Sequence, residues 1–132
     1  MKPVVKLALA ALGLIILGSL GVIASGWFLA SGCENTEQQR VPSPNGRFEL
    51  VIFERNCGAT TDFSTQVSLV DRGAKLIDRP GNAYVSEDRA DLEVSWTADT
   101  LATIHSPAGV EGELQASHVD GVALHLRQGP SN

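Results

Sequence analysis

Between Leu7 and Gly32 the chain runs for 26 residues without a charged side chain (LALAALGLIILGSLGVIASGWFLASG), and this run constrains everything that follows it. At about 1.5 Å of helical rise per residue, roughly 20 residues cross a hydrocarbon layer about 30 Å thick, so the run can span one with room for tilt. The apolar part of a cleavable secretory signal covers only about 7–15 residues. Trp27 and Phe28 stand near the distal end of the run, where aromatic rings favour the boundary between lipid and water. Lys2 and Lys6 precede it and Glu34 and Glu37 follow it. Positive charge stays on the cytoplasmic side, so the amino terminus is expected inside and everything after residue 33 outside. The sequence thus predicts a short cytoplasmic segment at 1–6 and a transmembrane signal anchor at 7–32. Gly13, Gly18, Gly21 and Gly26 lie within the run but form no strict Gly-xxx-Gly pair, so a plain anchor is expected over helix pairing.

The part beyond the anchor, 34–132, holds 99 residues, enough for one small domain that buries roughly 60–70 % of its unfolded surface. All 15 acidic residues fall here with 8 of the 10 basic ones, a net charge of −7. Such a part offers no basic patch to neutralise phosphates, which argues against nucleic acid as a partner. The same charge repels anionic headgroups, and solubility accounts for it. The expected location is the cytoplasmic (inner) membrane, single-pass, with the carboxy-terminal domain periplasmic or extracellular. The alanine-rich, lysine-poor composition favours a periplasm.

Residues 33–46 read as a polar linker that ends in a turn around Pro44-Asn45-Gly46. From there to 128 the pattern is that of strands. RFELVIFE is apolar on both faces from Leu50 to Phe53, which suits a central, covered strand. FSTQVSLVD alternates, with Phe63, Thr65, Val67 and Leu69 on one face. NAYVSE is a short candidate, and DLEVSWT places Leu92, Val94 and Trp96 inward. LATIHS follows a turn at Ala98-Asp99-Thr100, making a hairpin. GVALHLRQ puts Val122, Leu124 and Leu126 on one face. Residues 106–117 read as a loop or short edge piece, and 129–132 as a frayed tail. No sustained helical period follows residue 40. The expected fold is all-β: one small antiparallel meander or sandwich-like domain of about six or seven strands at 47–128, behind one transmembrane helix. Some layer must cover the apolar face, because a flat sheet with one face bare aggregates.

Two cysteines, Cys33 and Cys57, leave three readings open. An exported location and an even count favour a disulfide, which closes a loop of about 25 residues and contributes about 3 kcal/mol in the chain-entropy model. LASGC resembles the bacterial lipoprotein signal, in which the cysteine is acylated. Ala30 stands where leucine is usual there, and the apolar run is longer than such signals carry. A reactive Cys57 thiol needs a basic or helix-terminal setting; Arg55 is near, but no histidine is.

The stretch SPNGRFELVIFERNCGATTDFSTQVSL, residues 43–69, resembles the signature of an uncharacterised family of small bacterial membrane-anchored or exported proteins. Its pattern is Ser-Pro-Asp-Gly, an apolar strand, Cys-Gly-Ala-Thr-Thr, then Ser-Thr-Gln-Val-Ser; here Asn45 stands where aspartate is usual. The resemblance implies a shared fold and no activity.

A search for chemistry leaves little. His105, His118 and His125 lack metal-site spacing and read as surface histidines. Glu87, Asp88, Asp91 and Glu93 lack the pattern of a calcium loop. No serine sits in a Gly-x-Ser-x-Gly turn, and no glycine-rich loop opens a helix. No catalytic, cofactor-binding or metal-ligating residue is therefore assigned, and no cofactor is expected. Two classes of function remain. The preferred one is a non-enzymatic, membrane-tethered envelope module that binds another envelope protein through exposed edge strands and a contact loop at Gly58, Thr60, Thr61 and Asp62. The alternative is an envelope enzyme, thiol-dependent through Cys57 or a weak hydrolase.

Overall fold

The structure is a computed structural model that describes residues 2–30, 32–59 and 61–130, with the side chains of 20–30 outside the description. It divides into two units, 1–32 and 33–132.

The first unit is one helix, α1 (Pro3–Ala30), 28 residues long. Pro3 opens it, a position where the missing N–H costs no helical hydrogen bond. Leu7, Leu9, Leu12, Leu14, Ile15, Ile16 and Leu17 are all exposed, so apolar side chains point outward all around the described part of the helix. The Ser19 hydroxyl turns back onto the carbonyls of Ile15 and Ile16, 3.0 Å from each. The predicted span at 7–32 extends over residues whose side chains lie outside the description. Among the described residues, no helix is long and apolar enough to cross a membrane.

The second unit is mostly β, with nine strands in two sheets among the described residues. One sheet has the order β1-β2-β3-β4-β7, from β1 (Glu34–Pro42), β2 (Phe48–Asn56), β3 (Ser64–Asp71), β4 (Tyr84–Ser86) and β7 (Gly112–Leu114). The other has the order β5-β6-β9-β8, from β5 (Glu93–Ala98), β6 (Leu101–Ser106), β8 (His118–Val119) and β9 (Val122–Gln128). Facing side chains of both sheets form the core: Phe48, Leu50, Ile52, Val67, Leu69 and Tyr84 from the first, Ala102, Ile104, Val122 and Leu124 from the second. Leu92 is buried with them, and Val94 and Trp96 pack at the margin, the inward set that alternation predicts for DLEVSWT.

Three expectations need correction. Residues 34–42 are a strand, not a linker: β1 pairs antiparallel with β2 from Glu34↔Asn56 to Pro42↔Glu49. Its sequence is polar because an edge strand is wetted, so the pattern gives no strand signal, and the pairing is imposed by β2. The strands do not follow one another as an antiparallel meander. β6 and β9 run parallel from Leu101↔Ala123 to Ser106↔Gln128, and β7 leaves its sequence neighbours to pair with β4. Of the tail, Gly129 is tied down, its N–H donating to the Ser106 carbonyl at 3.1 Å; 131–132 lie outside the described residues.

The hairpin turn at 43–47 is where the sequence places it. Gly46 N–H donates to the Ser43 carbonyl at 2.9 Å, and Asn45 Oδ1 accepts from Arg47 N–H at 3.0 Å. Gly46 has φ +69°, a left-handed conformation that glycine adopts without strain.

The outer face of the first sheet is covered too. Val51 and Phe53 point away from the core yet are fully buried. The segment 72–82 crosses this face: Gly73 N–H donates to Glu49 at 3.1 Å, and Gly81 N–H donates to Gln66 Oε1 at 2.7 Å. Between them the Asn35 amide donates to the carbonyls of Ile77 and Arg79, at 2.9 and 2.7 Å. Asn82 completes the edge of β3 like a short strand, accepting from Leu69 N–H at 2.8 Å and donating to Leu69 O at 3.0 Å. This strap explains why the run Leu50–Phe53 carries no polar residue.

Candidate functional site

Cys33 and Cys57 are bonded to each other. Glu34 pairs with Asn56 at the open end of the β1–β2 hairpin, and the cysteines occupy the next register position. The staple and the Pro44-Asn45-Gly46 turn therefore close opposite ends of one hairpin. With both sulfurs in one bond, this form of the protein has no Cys57 thiolate, and Cys33 has no free sulfur to acylate.

The loop after the bridge is exposed. Gly58, at φ +113°, donates its N–H to Asn56 Oδ1 at 3.0 Å, and its carbonyl accepts from the N–H and hydroxyl of Thr61, each at 3.3 Å. Asp62 is exposed on a shallow groove beside Phe63, Asp88 and Arg89. Thr60 lies outside the described residues. Arg89 anchors the base of this loop: its guanidinium lies 4.0 Å from the Phe63 ring centre and bonds both Glu54 carboxylate oxygens, at 2.7 and 3.1 Å. The predicted contact residues Gly58, Thr61 and Asp62 thus share one loop held by a bridge on one side and a stacked arginine on the other. Nothing in the spacing of Glu54, Phe63 and Arg89 announces that arrangement.

Electrostatics elsewhere on the body have local causes. The Arg40 guanidinium clamps Glu37 at 2.6 Å and Glu49 at 2.8 Å, which raises its own pKa and, with Gly73 N–H, holds the Glu49 carboxyl below the usual range. At the β4–β7 edge, Glu87 N–H donates to the Glu111 carbonyl at 2.9 Å. Their side chains share a hydrogen bond, which pushes the Glu87 pKa up. Among the described residues, no group of three or more His, Cys, Asp or Glu is placed to hold a metal ion.

His105 and His125 lie on the outer face of the second sheet. Glu93 pairs with His105, and His105 pairs with Arg127 on the next strand. Ser95 Oγ lies 3.2 Å from His105 Nε2. A serine and a histidine in hydrogen-bond reach are two parts of a nucleophilic site, but activating the serine also needs an orienting carboxylate and donors for an oxyanion. Glu93 is the cross-strand neighbour of His105, but among the described residues no carboxylate hydrogen-bonds the ring, and its bond to Ser95 sits on a half-open sheet face. The His118 ring lies 3.2 Å from the hydroxyl of its neighbour Ser117.

The sheet edges differ from one another. On β1, Asn35 N–H is taken by Asp78 Oδ1 at 2.9 Å, and the Val41 carbonyl by Trp96 Nε1 at 3.0 Å. β7 and β8 are only three and two residues long. On β5, among the described residues, no main-chain N–H or C=O bonds anything beyond β6. A groove of about 230 Å³ opens at the start of β5, lined by Asp91, Glu93, His105, Pro107, Gly129 and Pro130. The sequence names edge strands as contact surfaces in general; which edge stays open depends on the caps that Asp78 and Trp96 place on β1.

No family model matches this chain, and neither a curated protein nor a solved structure matches it.

Proposed function

We propose that this chain is a membrane-tethered module of the cell envelope, held by α1 and presenting a disulfide-stapled β body to another envelope protein. The observation that carries the reading is the apolar surface of α1, whose leucines and isoleucines face outward on all sides of its described part. A helix apolar all round needs a non-aqueous surrounding, and lipid supplies it. The Ser19 hydroxyl, already bonded within the helix, adds no unmet polar group to that surrounding. On this reading the span runs over 7–32 with the amino terminus inside, and the body occupies the oxidising side where a Cys33–Cys57 bridge persists. The resemblance of residues 43–69 to a family of anchored or exported proteins agrees with it.

The body meets its partner through its sheet edges and the 57–62 loop. A photo-crosslinking amino acid placed singly at Asp62, Glu93 and Ser95 in the full-length chain tests this in intact cells. One discrete envelope protein crosslinked from these positions, and not from Thr103 on the flat face of the second sheet, is the expected result. No adduct from any edge or loop position, in several growth conditions, would refute it.

A further inference from the structure

We propose that the open edge of β5, over Glu93–Ala98, binds an extended basic polypeptide segment as an added antiparallel strand. This rests on the reading of the body as a protein-binding module and assigns the place and the chemistry of the partner. Three observations converge on it. β5 is the outermost strand of its sheet, and its outward N–H and C=O groups have no partner among the described residues. The competing long edge, β1, is occupied at Asn35 by Asp78 and at Val41 by Trp96. β5 has no such caps among the described residues; a register shift lies between Trp96 and Ala98, and Glu93–Trp96 stays regular and open.

Charge selects the occupant. Asp91, Glu93 and Asp99 are exposed along the strand and its ends, and no basic residue lies between 91 and 99. The nearest arginine on the same face, Arg127, is two strands away on β9. Asp91 and Glu93 also line the groove of about 230 Å³ at the start of β5, which sets two carboxylates where the end of an added strand would carry a lysine or arginine. On the outer face an added strand meets Glu93, Ser95 and Thr97; on the inner face it meets the half-exposed Val94 and Trp96. The segment that fits alternates basic and apolar residues. A second copy of this chain fits poorly: antiparallel pairing centred on Ser95 sets Asp91 against Asp99, and pairing centred on Trp96 sets Glu93 against Asp99. Each such pairing also brings together two bodies of net charge −7.

The test uses the full-length chain in nonionic detergent and a six-residue capped peptide of alternating lysine and valine as the probe. Two further peptides carry N-methyl groups on its odd or its even amides. An added strand turns only every second amide toward its neighbour. The expected result is binding in which one methylated peptide is at least tenfold weaker and the other is unchanged. β5 amides gain protection from hydrogen exchange on binding, and Glu93→Lys loses at least tenfold with unchanged exchange in the core strands. Equal binding of both methylated peptides, equal binding of a glutamate–valine peptide, or no binding at all would each overturn the proposal. So would a concentration-dependent dimer that protects β5 without any peptide. If crosslinks from Asp62 to an envelope protein persist in those cases, the wider reading stands and only this assignment falls.

Discussion

Replacing Cys33 and Cys57 together by serine removes the staple at the open end of the β1–β2 hairpin, and the loop it closes sets the size of the effect. The two positions are 24 apart in sequence. Closing a loop of about 25 residues removes about 12 cal/mol/K from the unfolded chain, or about 3.5 kcal/mol at room temperature. For a body of this size that corresponds to a fall in Tm of about 15 °C. Little native-state loss offsets this, because β1 and β2 are already in register from Glu34 to Pro42 without the bridge. The double variant should therefore fold to the same structure and unfold earlier. The assay is thermal unfolding of the full-length chain in detergent, followed by the β-sheet circular dichroism, with a urea series beside it. A steeper urea dependence in the variant is expected, since an unstapled unfolded chain exposes more surface. If wild type and variant unfold within about 2 °C of each other, the loop-entropy argument fails for this protein.

Two further outcomes follow from the packing and the charges. At Gly112 a Cβ would run into the Tyr84 hydroxyl and ring and come within 2.8 Å of the Val85 carbonyl. Tyr84 is fully buried with its hydroxyl 3.2 Å from Ser106 Oγ. Gly112→Ala should thus cost about 1–3 kcal/mol by chemical unfolding, and pairing it with Tyr84→Phe should recover part of that loss. The pH dependence has two opposed parts. Glu49, held below its ordinary 4.5 by Arg40, contributes stability that is complete above that pH and is lost as pH falls through its lowered value. Arg40→Ala should therefore lower Tm at pH 7 and converge on wild type once pH falls below that lowered value. Glu87, raised above 4.5 by Glu111, contributes in the opposite sense, favouring the fold below that pH and losing the benefit as pH rises through its raised value. Glu111→Gln should raise Tm at pH 7 and leave it little changed at low pH.

What the sequence makes legible follows its apolar patterning. The run Leu50–Phe53, the inward trio Leu92, Val94 and Trp96, and the hairpin at Asp99-Thr100 are read directly, because burial fixes alternation and turn chemistry fixes register. β1 is hidden because a wetted edge strand needs no apolar face, and its place is dictated by a neighbour. β8 is only two residues long, yet the Asp120-Gly121 turn that follows it, with φ +47° and +81°, is a two-residue hairpin signal available in the sequence. The parallel pairing of β6 with β9 is long-range, and local pattern does not encode direction. At the candidate site, the bridge is legible from the cysteine count and the expected location. The open edge of β5 is not, since it depends on Asp78 and Trp96 closing the other edge instead. The strap at 72–82 is likewise written in single side chains, Asn35, Gln66 and Asn82, whose partners only the folded chain supplies.

The most direct test of the account is extraction of host-cell membranes carrying the full-length chain with alkaline carbonate, which strips peripheral proteins and leaves spanning ones. A tether through α1 predicts that the intact chain stays in the membrane pellet. Recovery of the intact chain in the wash would contradict the tether, and with it the placement of the stapled body on the outer side of a membrane.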